Sequence, residues 1–143
     1  MFIGEHRHVI DDKGRLQMPA RFRGAFGEGA VVTRGLDGCL FVYTAEEWKK
    51  MTDKLTTLPL TQADARKFSR LMLAGAVDVE IDKQGRINIP SYLREYADLK
   101  SNVIVAGLMN RLEIWDQEVW QTQQAEVDKH SDEIAQSLGP YGI

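Results

Sequence analysis

The sequence predicts an α+β protein in which two similar, β-rich units are joined by helices. Apolar and polar residues alternate with the period of two that is typical of strands, and one strand–loop–strand pattern occurs twice. Apolar residues also recur at helical spacing in the middle and at the end of the chain. We therefore expect a sheet built from two repeats, with a helical linker and a C-terminal helix.

The duplicated pattern lies at residues 11–19 and 82–90. In each copy an Asp and an Arg flank a three-residue loop that ends in Gly, and a Pro closes the strand that follows. The match extends from Gly4 and Gly75 to Trp48 and Trp120, with one residue of slip, so the chain contains an internal duplication of about 45 residues. A unit of that size rarely has a sufficient core of its own, so the repeats should share a core or recruit other chains.

Each copy begins with a predicted hairpin. Around the second loop, Val77, Val79, Ile81, Ile87 and Ile89 alternate with polar residues and should face a core. The same alternation places Asp82 with Arg86, and Asp11 with Arg15 and Gln17, on a polar face at the mouth of a hairpin. A Gly at the last loop position suits a type I turn with a bulge, which needs a left-handed residue there.

A short helix is predicted after each repeated proline. In the first copy it covers residues 20–26 and carries Arg21 and Arg23, which either form a solvated face or extend a basic patch. Tyr92 occupies the place of Arg21 in the second copy, which favours the solvated face.

Three further helices complete the predicted elements. A capping box at residues 44–47 begins the first, which ends at Pro59, and Thr61 with Asp64 begins the second. Their apolar stripes predict a helical hairpin that packs across the repeats; the stripes contain Trp48, Met51, Leu55, Leu58, Phe68, Leu71 and Met72. The last helix starts at about Asp116 and carries Trp120, Val127 and Ile134 at seven-residue intervals before Gly139.

Charge and composition limit the classes of function. The net charge is −3 and the pI is near 5.6, which argues against a protein that coats DNA through general basicity. Positive charge is concentrated before residue 35, and residues 113–133 are acidic. Cys39 is the only cysteine, so no intrachain disulfide forms. The sequence has no signal segment and no membrane-length apolar run, which predicts a cytosolic protein.

His6 and His8 stand on one strand face, where a His-x-His pair could bind a metal. No third ligand is nearby in sequence, so partly buried structural histidines are the favoured interpretation. Phosphate loops, nucleophile elbows and His-Glu-x-x-His are all absent, so we expect no enzyme activity, no cofactor and no small-molecule substrate.

These motifs resemble the MraZ family of bacterial transcription regulators, which contain two tandem SpoVT-AbrB-type swapped-hairpin domains. The resemblance rests on the Asp-x-x-x-Arg signatures at residues 11–15 and 82–86, the Met-Phe-x-Gly opening, Leu-Glu-Ile-Trp at residues 112–115 and the helical linker. It implies AbrB-like β-barrel units, with repeat 1 at residues 1–49, a linker at 50–74, repeat 2 at 75–120, and a C-terminal helix and tail at 121–143.

The resemblance also implies that both loops contact double-stranded DNA. The implied DNA-binding residues are Lys13, Gly14, Arg15, Lys83, Gly85 and Arg86, with Asp11 and Asp82 orienting the arginines. A ring of identical protomers would bind short direct repeats in the promoter of its own division and cell-wall operon and repress it, which implies a cytoplasmic, nucleoid-associated protein.

Two other functions remain open from the residues. On chemistry alone, the Asp–Arg pairs are equally well explained as salt bridges that close hairpins, since an exposed pair contributes only about 0–1 kcal/mol. The chain would then be a protein-interaction module of swapped-hairpin type, or a scaffold ring that has no role on DNA.

Overall fold

The computed structural model describes residues 1–27 and 29–143 and has an α+β architecture. The elements of the first repeat and the linker are β1 (Phe2–Val9), β2 (Arg15–Gln17), α1 (Ala20–Phe26), β3 (Gly29–Arg34), β4 (Leu40–Tyr43), α2 (Ala45–Thr56), α3 (Ala63–Ser69) and a π-helical turn (Arg70–Ala74). The remaining elements are β5 (Val77–Glu80), β6 (Arg86–Asn88), α4 (Ser91–Tyr96), β7 (Asn102–Met109), β8 (Leu112–Asp116), α5 (Gln117–Lys129), α6 (Ser131–Ser137) and a 3-10 turn (Gly139–Tyr141).

Both repeats contribute three strands to one antiparallel sheet with the order β1-β7-β8-β4-β3-β5. The first strand of each repeat pairs with the other repeat: β1 lies along β7, and β5 lies along β3. The strands β2 and β6 leave this sheet and pair with each other in a two-stranded antiparallel ribbon. The repeats are therefore interlocked, and neither contains all the strands that cover its own core.

The six-stranded sheet is open among the described residues. The strands β1 and β5 are its two edges, and each pairs with a neighbour on one side only. The closed β-barrel units implied by the resemblance are therefore not formed within residues 1–27 and 29–143, because no ladder joins the two edge strands. What is confirmed is a duplicated α+β protein with a mainly antiparallel sheet.

Both faces of the sheet are covered, which explains why β4 is buried at every residue and why β3 and β7 each contain four consecutive buried residues. One core contains residues from both repeats, including Leu16, Phe22, Ile87 and Leu93 from the ribbon and the short helices. The core on the opposite face is formed under the linker and α5. Its members are Cys39, Phe41, Tyr43, Leu55, Met72, Ile104, Ala106 and Trp115, with Trp48, Met51, Phe68, Val119 and Trp120 packed against them.

The linker helices confirm the predicted helical hairpin. The Thr44 side chain caps α2 by accepting a hydrogen bond from the Glu47 backbone N–H at 3.1 Å. Leu55 and Met72 are buried against the second core, so the linker packs across the sheet as the apolar stripes predicted. The π-helical turn that ends the linker has no signal in the sequence.

The C-terminal region differs from the single helix that was predicted. Asp116 caps α5, and Trp120 stacks edge-on against Trp115 with ring centroids 5.5 Å apart. The helix ends at Lys129 with His130 as its C-cap, and α6 begins at Ser131. Every residue from 125 to 143 is exposed, so no packing holds the two helices in line. None of the helices in the described parts of the chain has the length and apolar character needed to cross a bilayer.

Candidate nucleic-acid interface

The first repeated loop, residues 11–15, forms the first tip. The Asp11 carboxylate receives three hydrogen bonds: Oδ1 accepts from the backbone N–H of Lys13 at 3.0 Å and of Arg15 at 2.8 Å, and Oδ2 accepts from Arg15 Nε at 2.6 Å. Two backbone bonds between Asp11, Gly14 and Arg15 close the turn. Gly14 has a φ of +84°, which confirms the predicted left-handed position.

The second tip, residues 82–86, repeats this geometry. Asp82 Oδ1 accepts from the backbone N–H of Gln84 at 2.9 Å and of Arg86 at 2.8 Å, and Oδ2 accepts from Arg86 Nε at 2.9 Å. Gly85 has a φ of +79°. In both tips, the backbone N–H of the arginine lowers the pKa of the aspartate below its ordinary value, and the arginine side chain lowers it further.

Each aspartate binds only one side of its guanidinium. Among the described residues, no hydrogen bond uses the Nη1 or Nη2 atoms of Arg15 or Arg86. The Arg15 side chain is 37% exposed and that of Arg86 is 29% exposed. Two guanidinium groups are thus held at Nε while their outer N–H groups stay available to a ligand.

The ribbon places the two arginines on one surface. In the β2–β6 register, Arg15 lies opposite Asn88 and Gln17 lies opposite Arg86, while Leu16 and Ile87 point to the core. Diagonal neighbours on such a face are separated by about 7–8 Å. We call this four-residue surface, Arg15, Gln17, Arg86 and Asn88, the ribbon face. Lys13 and Lys83 are exposed on the loops beside it.

Each tip is held in place by contacts with the other repeat. Gly85 O accepts from Met18 N at 2.9 Å, and Gly14 O accepts from Ile89 N at 2.8 Å. Arg23 donates from Nε to Met18 O at 3.0 Å and covers Gly85, where an added Cβ would lie 2.5 Å from Cζ of Arg23. These contacts connect each turn to the short helix of the other repeat.

Arg94 makes the matching contact on the first tip. It donates from Nε to Ile89 O at 3.0 Å and lies against Gly14. Both loop glycines are buried under these arginines, so the structure gives them a packing role beside the turn role that was predicted. Sequence reasoning missed Arg94. The signal was available, because Arg94 follows Arg23 by the same 71-residue offset that relates Gly85 to Gly14.

Arg21 and His6, which were also considered from the sequence, both contact Phe22 and are not members of the ribbon face. Arg21 is exposed, and its guanidinium lies 5.5 Å from the Phe22 ring centroid. His6 packs edge-on against Phe22 with ring centroids 5.1 Å apart, as the structural interpretation of the histidines expects. In the described parts of the chain, no three His, Cys, Asp or Glu side chains are grouped in a way that could hold a metal ion.

The fold and this surface define a class of protein: a duplicated, strand-exchanged α+β protein that displays two carboxylate-held arginines on one β-ribbon. Sequence comparison makes the assignment specific. The family model described as "MraZ protein, putative antitoxin-like" matches residues 1–71 and 72–138. The chain therefore belongs to the MraZ family, and each match contains one copy of the duplicated pattern.

Full-length relatives support the same assignment. The chain is 52% identical to a protein named "Transcriptional regulator MraZ" from Caldanaerobacter subterraneus subsp. tengcongensis, over 143 residues and all of both chains. Proteins with the same name from Natranaerobius thermophilus and Thermoanaerobacter pseudethanolicus are 49% and 52% identical, again over the whole of both chains.

Proposed function

We propose that this chain is a sequence-specific DNA-binding transcriptional regulator. The names of its full-length relatives support a role in transcription. The observation that supports the DNA interface is the ribbon face, where Arg15 and Arg86 lie diagonally across the two strands, each with its Nε bonded to a carboxylate and both Nη groups without a hydrogen bond among the described residues. That arrangement suits bidentate hydrogen bonds to O6 and N7 of guanine.

The shape of the surface also suits the major groove of DNA, which admits a two-stranded β-ribbon. On this proposal the ribbon face enters the groove and Lys13 and Lys83 contact the flanking phosphates. Gly14 and Gly85 support the turns that present these side chains, while Asp11 and Asp82 orient the arginines. Asp–Arg contacts of 2.6 and 2.9 Å limit the motion of each guanidinium before DNA binds.

One ribbon face provides too little discrimination alone, because each bidentate base contact contributes about 1–3 kcal/mol. We infer that identical protomers form a ring that presents several ribbon faces to short direct repeats in a promoter, where linked contacts increase the overall affinity. Local charge at the tips then matters more than the net charge of −3. The proposed target is the promoter of its own division and cell-wall operon, and repression in the nucleoid is the proposed result.

The exchange of strands between repeats supports a finer assignment of the fold. We infer that β1 and β5, each paired with the opposite repeat, belong to a swapped-hairpin arrangement of the SpoVT-AbrB type. The division into repeat 1 at residues 1–49, a linker at 50–74, repeat 2 at 75–120 and a C-terminal region at 121–143 remains part of this proposal.

The test is binding of the pure protein to its own upstream region at several salt concentrations. We expect an Arg15→Ala/Arg86→Ala variant to keep the wild-type mass and circular dichroism and to lose specific binding. Arg21→Ala is the matched control, because it removes an exposed arginine outside the ribbon face. Unchanged promoter binding by the double variant would overturn the site. Absence of salt-sensitive binding by the wild type would favour the protein-interaction or scaffold alternative.

A further inference from the structure

The linker forms an apolar groove that nothing in the described chain fills. It lies between α2 and the segment made of α3 and the π-helical turn, and it encloses about 430 Å³. Leu58, Leu60 and Leu73 line it and are 40%, 83% and 38% exposed. Arg66 and Arg70 also line it. We call this surface the linker groove; it lies on the side of the sheet away from the ribbon.

The C-terminal tail, residues 131–143, presents an apolar stripe without a partner in the described chain. Ile134 and Leu138 are 42% and 40% exposed, and Tyr141 is 81% exposed. Ile134 lies in α6 and Leu138 caps that helix four residues further on, so the two lie on one side of it, and Tyr141 follows in the 3-10 turn. A helix that leaves such a stripe in water gains little from its own packing, so this face is suited to a second surface.

The two surfaces are complementary in charge. Residues 63–74 carry three basic side chains, Arg66, Lys67 and Arg70, against one acidic side chain, so their net charge is +2. Residues 131–143 carry Asp132 and Glu133 and no basic side chain, so their net charge is −2. Apolar residues meet in the centre of such a contact and opposite charges lie at its rim, which is the usual composition of a specific interface.

We propose that the tail of one protomer docks into the linker groove of a second copy of this chain. The tail does not line its own groove, because α5 packs on β7 and β8 and its Trp120 contacts Glu5 of β1, whereas α2 and the π-helical turn pack towards β3 and β4. A contact between two different surfaces of identical chains is heterologous, and repeated copies of it close into a ring when the rotation allows. This inference rests on the proposed ring and identifies the surfaces that build it.

The test uses full-length variants and measures mass by light scattering. Ile134→Ser/Leu138→Ser impairs the tail, and Leu58→Ser/Leu60→Ser impairs the groove. Each change removes apolar area, so we expect each to weaken self-association by about 100-fold. Leu36→Ser, which changes a 47% exposed leucine in the β3–β4 turn, is the matched control and should leave the mass unchanged.

Mixing the two variants gives the decisive measurement. The tail variant keeps an intact groove and the groove variant keeps an intact tail, so an equimolar mixture should form a 1:1 complex of twice the 16.2 kDa protomer mass. Self-association of the groove variant alone at wild-type strength would overturn the proposal in favour of tail–tail pairing. A monomeric wild type, or loss of assembly in the Leu36→Ser control, would overturn it as well.

The arginine variant of the previous subsection distinguishes this failure from failure of the proposed function. If the tail and groove variants keep the wild-type mass while Arg15→Ala/Arg86→Ala loses the promoter, the docking is wrong and the DNA site stands. If the masses fall as expected and the arginine variant still binds the promoter, the docking stands and the DNA site is wrong.

Discussion

The first and second tips hold their arginines through the same set of hydrogen bonds but differ in what surrounds them. The Cβ of an alanine at Gly14 would lie 2.5 Å from the backbone oxygen of Ile89, whereas at Gly85 its three nearest atoms would all belong to the Arg23 side chain. Gln17 reaches across the ribbon to Gln84 O at 2.7 Å, and the shorter Asn88, its counterpart, makes no such bond among the described residues. The two copies have therefore kept the same turn, but they differ in the contacts that surround it and in charge.

The largest expected difference follows from the glycine environments. Both Gly14→Ala and Gly85→Ala place a side chain at positive φ, which costs about 1–2 kcal/mol. At Gly14 the new methyl also displaces backbone, so we expect a total loss of about 3 kcal/mol in the free energy of unfolding. At Gly85 the Arg23 side chain can move aside, so we expect a loss of only about 1–2 kcal/mol in the free energy of unfolding. Urea unfolding measures the loss of stability in both variants. Equal losses would contradict the difference in the atoms that pack against the two glycines.

Replacement of Gln17 should affect mainly stability, whereas replacement of Asn88 should affect mainly DNA binding. Gln17→Ala removes a hydrogen bond and should lower the free energy of unfolding by about 1 kcal/mol. Asn88→Ala removes an exposed side chain and should change that free energy by less than about 0.5 kcal/mol. For promoter binding we expect the opposite order, with the larger effect from Asn88→Ala, because the unbonded Asn88 amide can pair with adenine. Unfolding and promoter-binding curves on both variants test this, and a base preference untouched by Asn88→Ala would contradict it.

Charge at the loops should have a smaller effect on DNA affinity. The first tip carries Asp11, Asp12, Lys13 and Arg15 and is neutral, whereas the second tip has Lys83 in the place of Asp12 and a net charge of +1. Asp12→Asn should strengthen promoter binding about two- to fivefold at low salt. Gln84→Glu, which changes the charge of the second tip in the opposite direction, should weaken promoter binding by a similar factor. Effects that persist unchanged in high salt would show that the cause is not electrostatic.

The smallest expected difference is in pH dependence. Both aspartates have a pKa below the ordinary value of 3.8, so each contributes stability above that pH and loses its contribution as the pH falls through the lowered pKa. The Asp11–Arg15 contact is the shorter, so Asp82 should release its arginine first on acidification. NMR signals of the two arginine Nε–H groups, followed below pH 5, measure this order. Asp82→Asn should abolish the acid response of the second tip only.

The local geometry of the tips could be predicted from the sequence, and their surroundings could not. Alternation and the loop glycines predicted that Asp11 would meet Arg15 and that Asp82 would meet Arg86, because these contacts are made within a few residues. Exchange of β1 and β5 between the repeats could not be predicted from the residue pattern itself, since alternation specifies which side chains face a core but not which strand lies alongside.

Two further differences have local causes that the patterns do not encode. The break at His130 interrupts a seven-residue apolar spacing that is compatible with one continuous helix, and the exposed flanks give no packing that would keep it straight. The packing role of Arg23 was hidden because it contacts a glycine 62 positions later in the chain, and a solvated arginine on a short helix has the same sequence pattern.

Because each tip is held by residues of the other repeat, the tips cannot be completed early in synthesis on the ribosome. A nascent chain that has emerged only as far as the linker lacks β6, Arg94 and the strand that pairs with β1, so the first tip has neither its ribbon partner nor its cover. Contacts this distant in sequence form slowly and late. We therefore expect an unfinished or proteolytically shortened polypeptide to be inert toward a promoter, because its recognition surface is completed only when both halves have been translated.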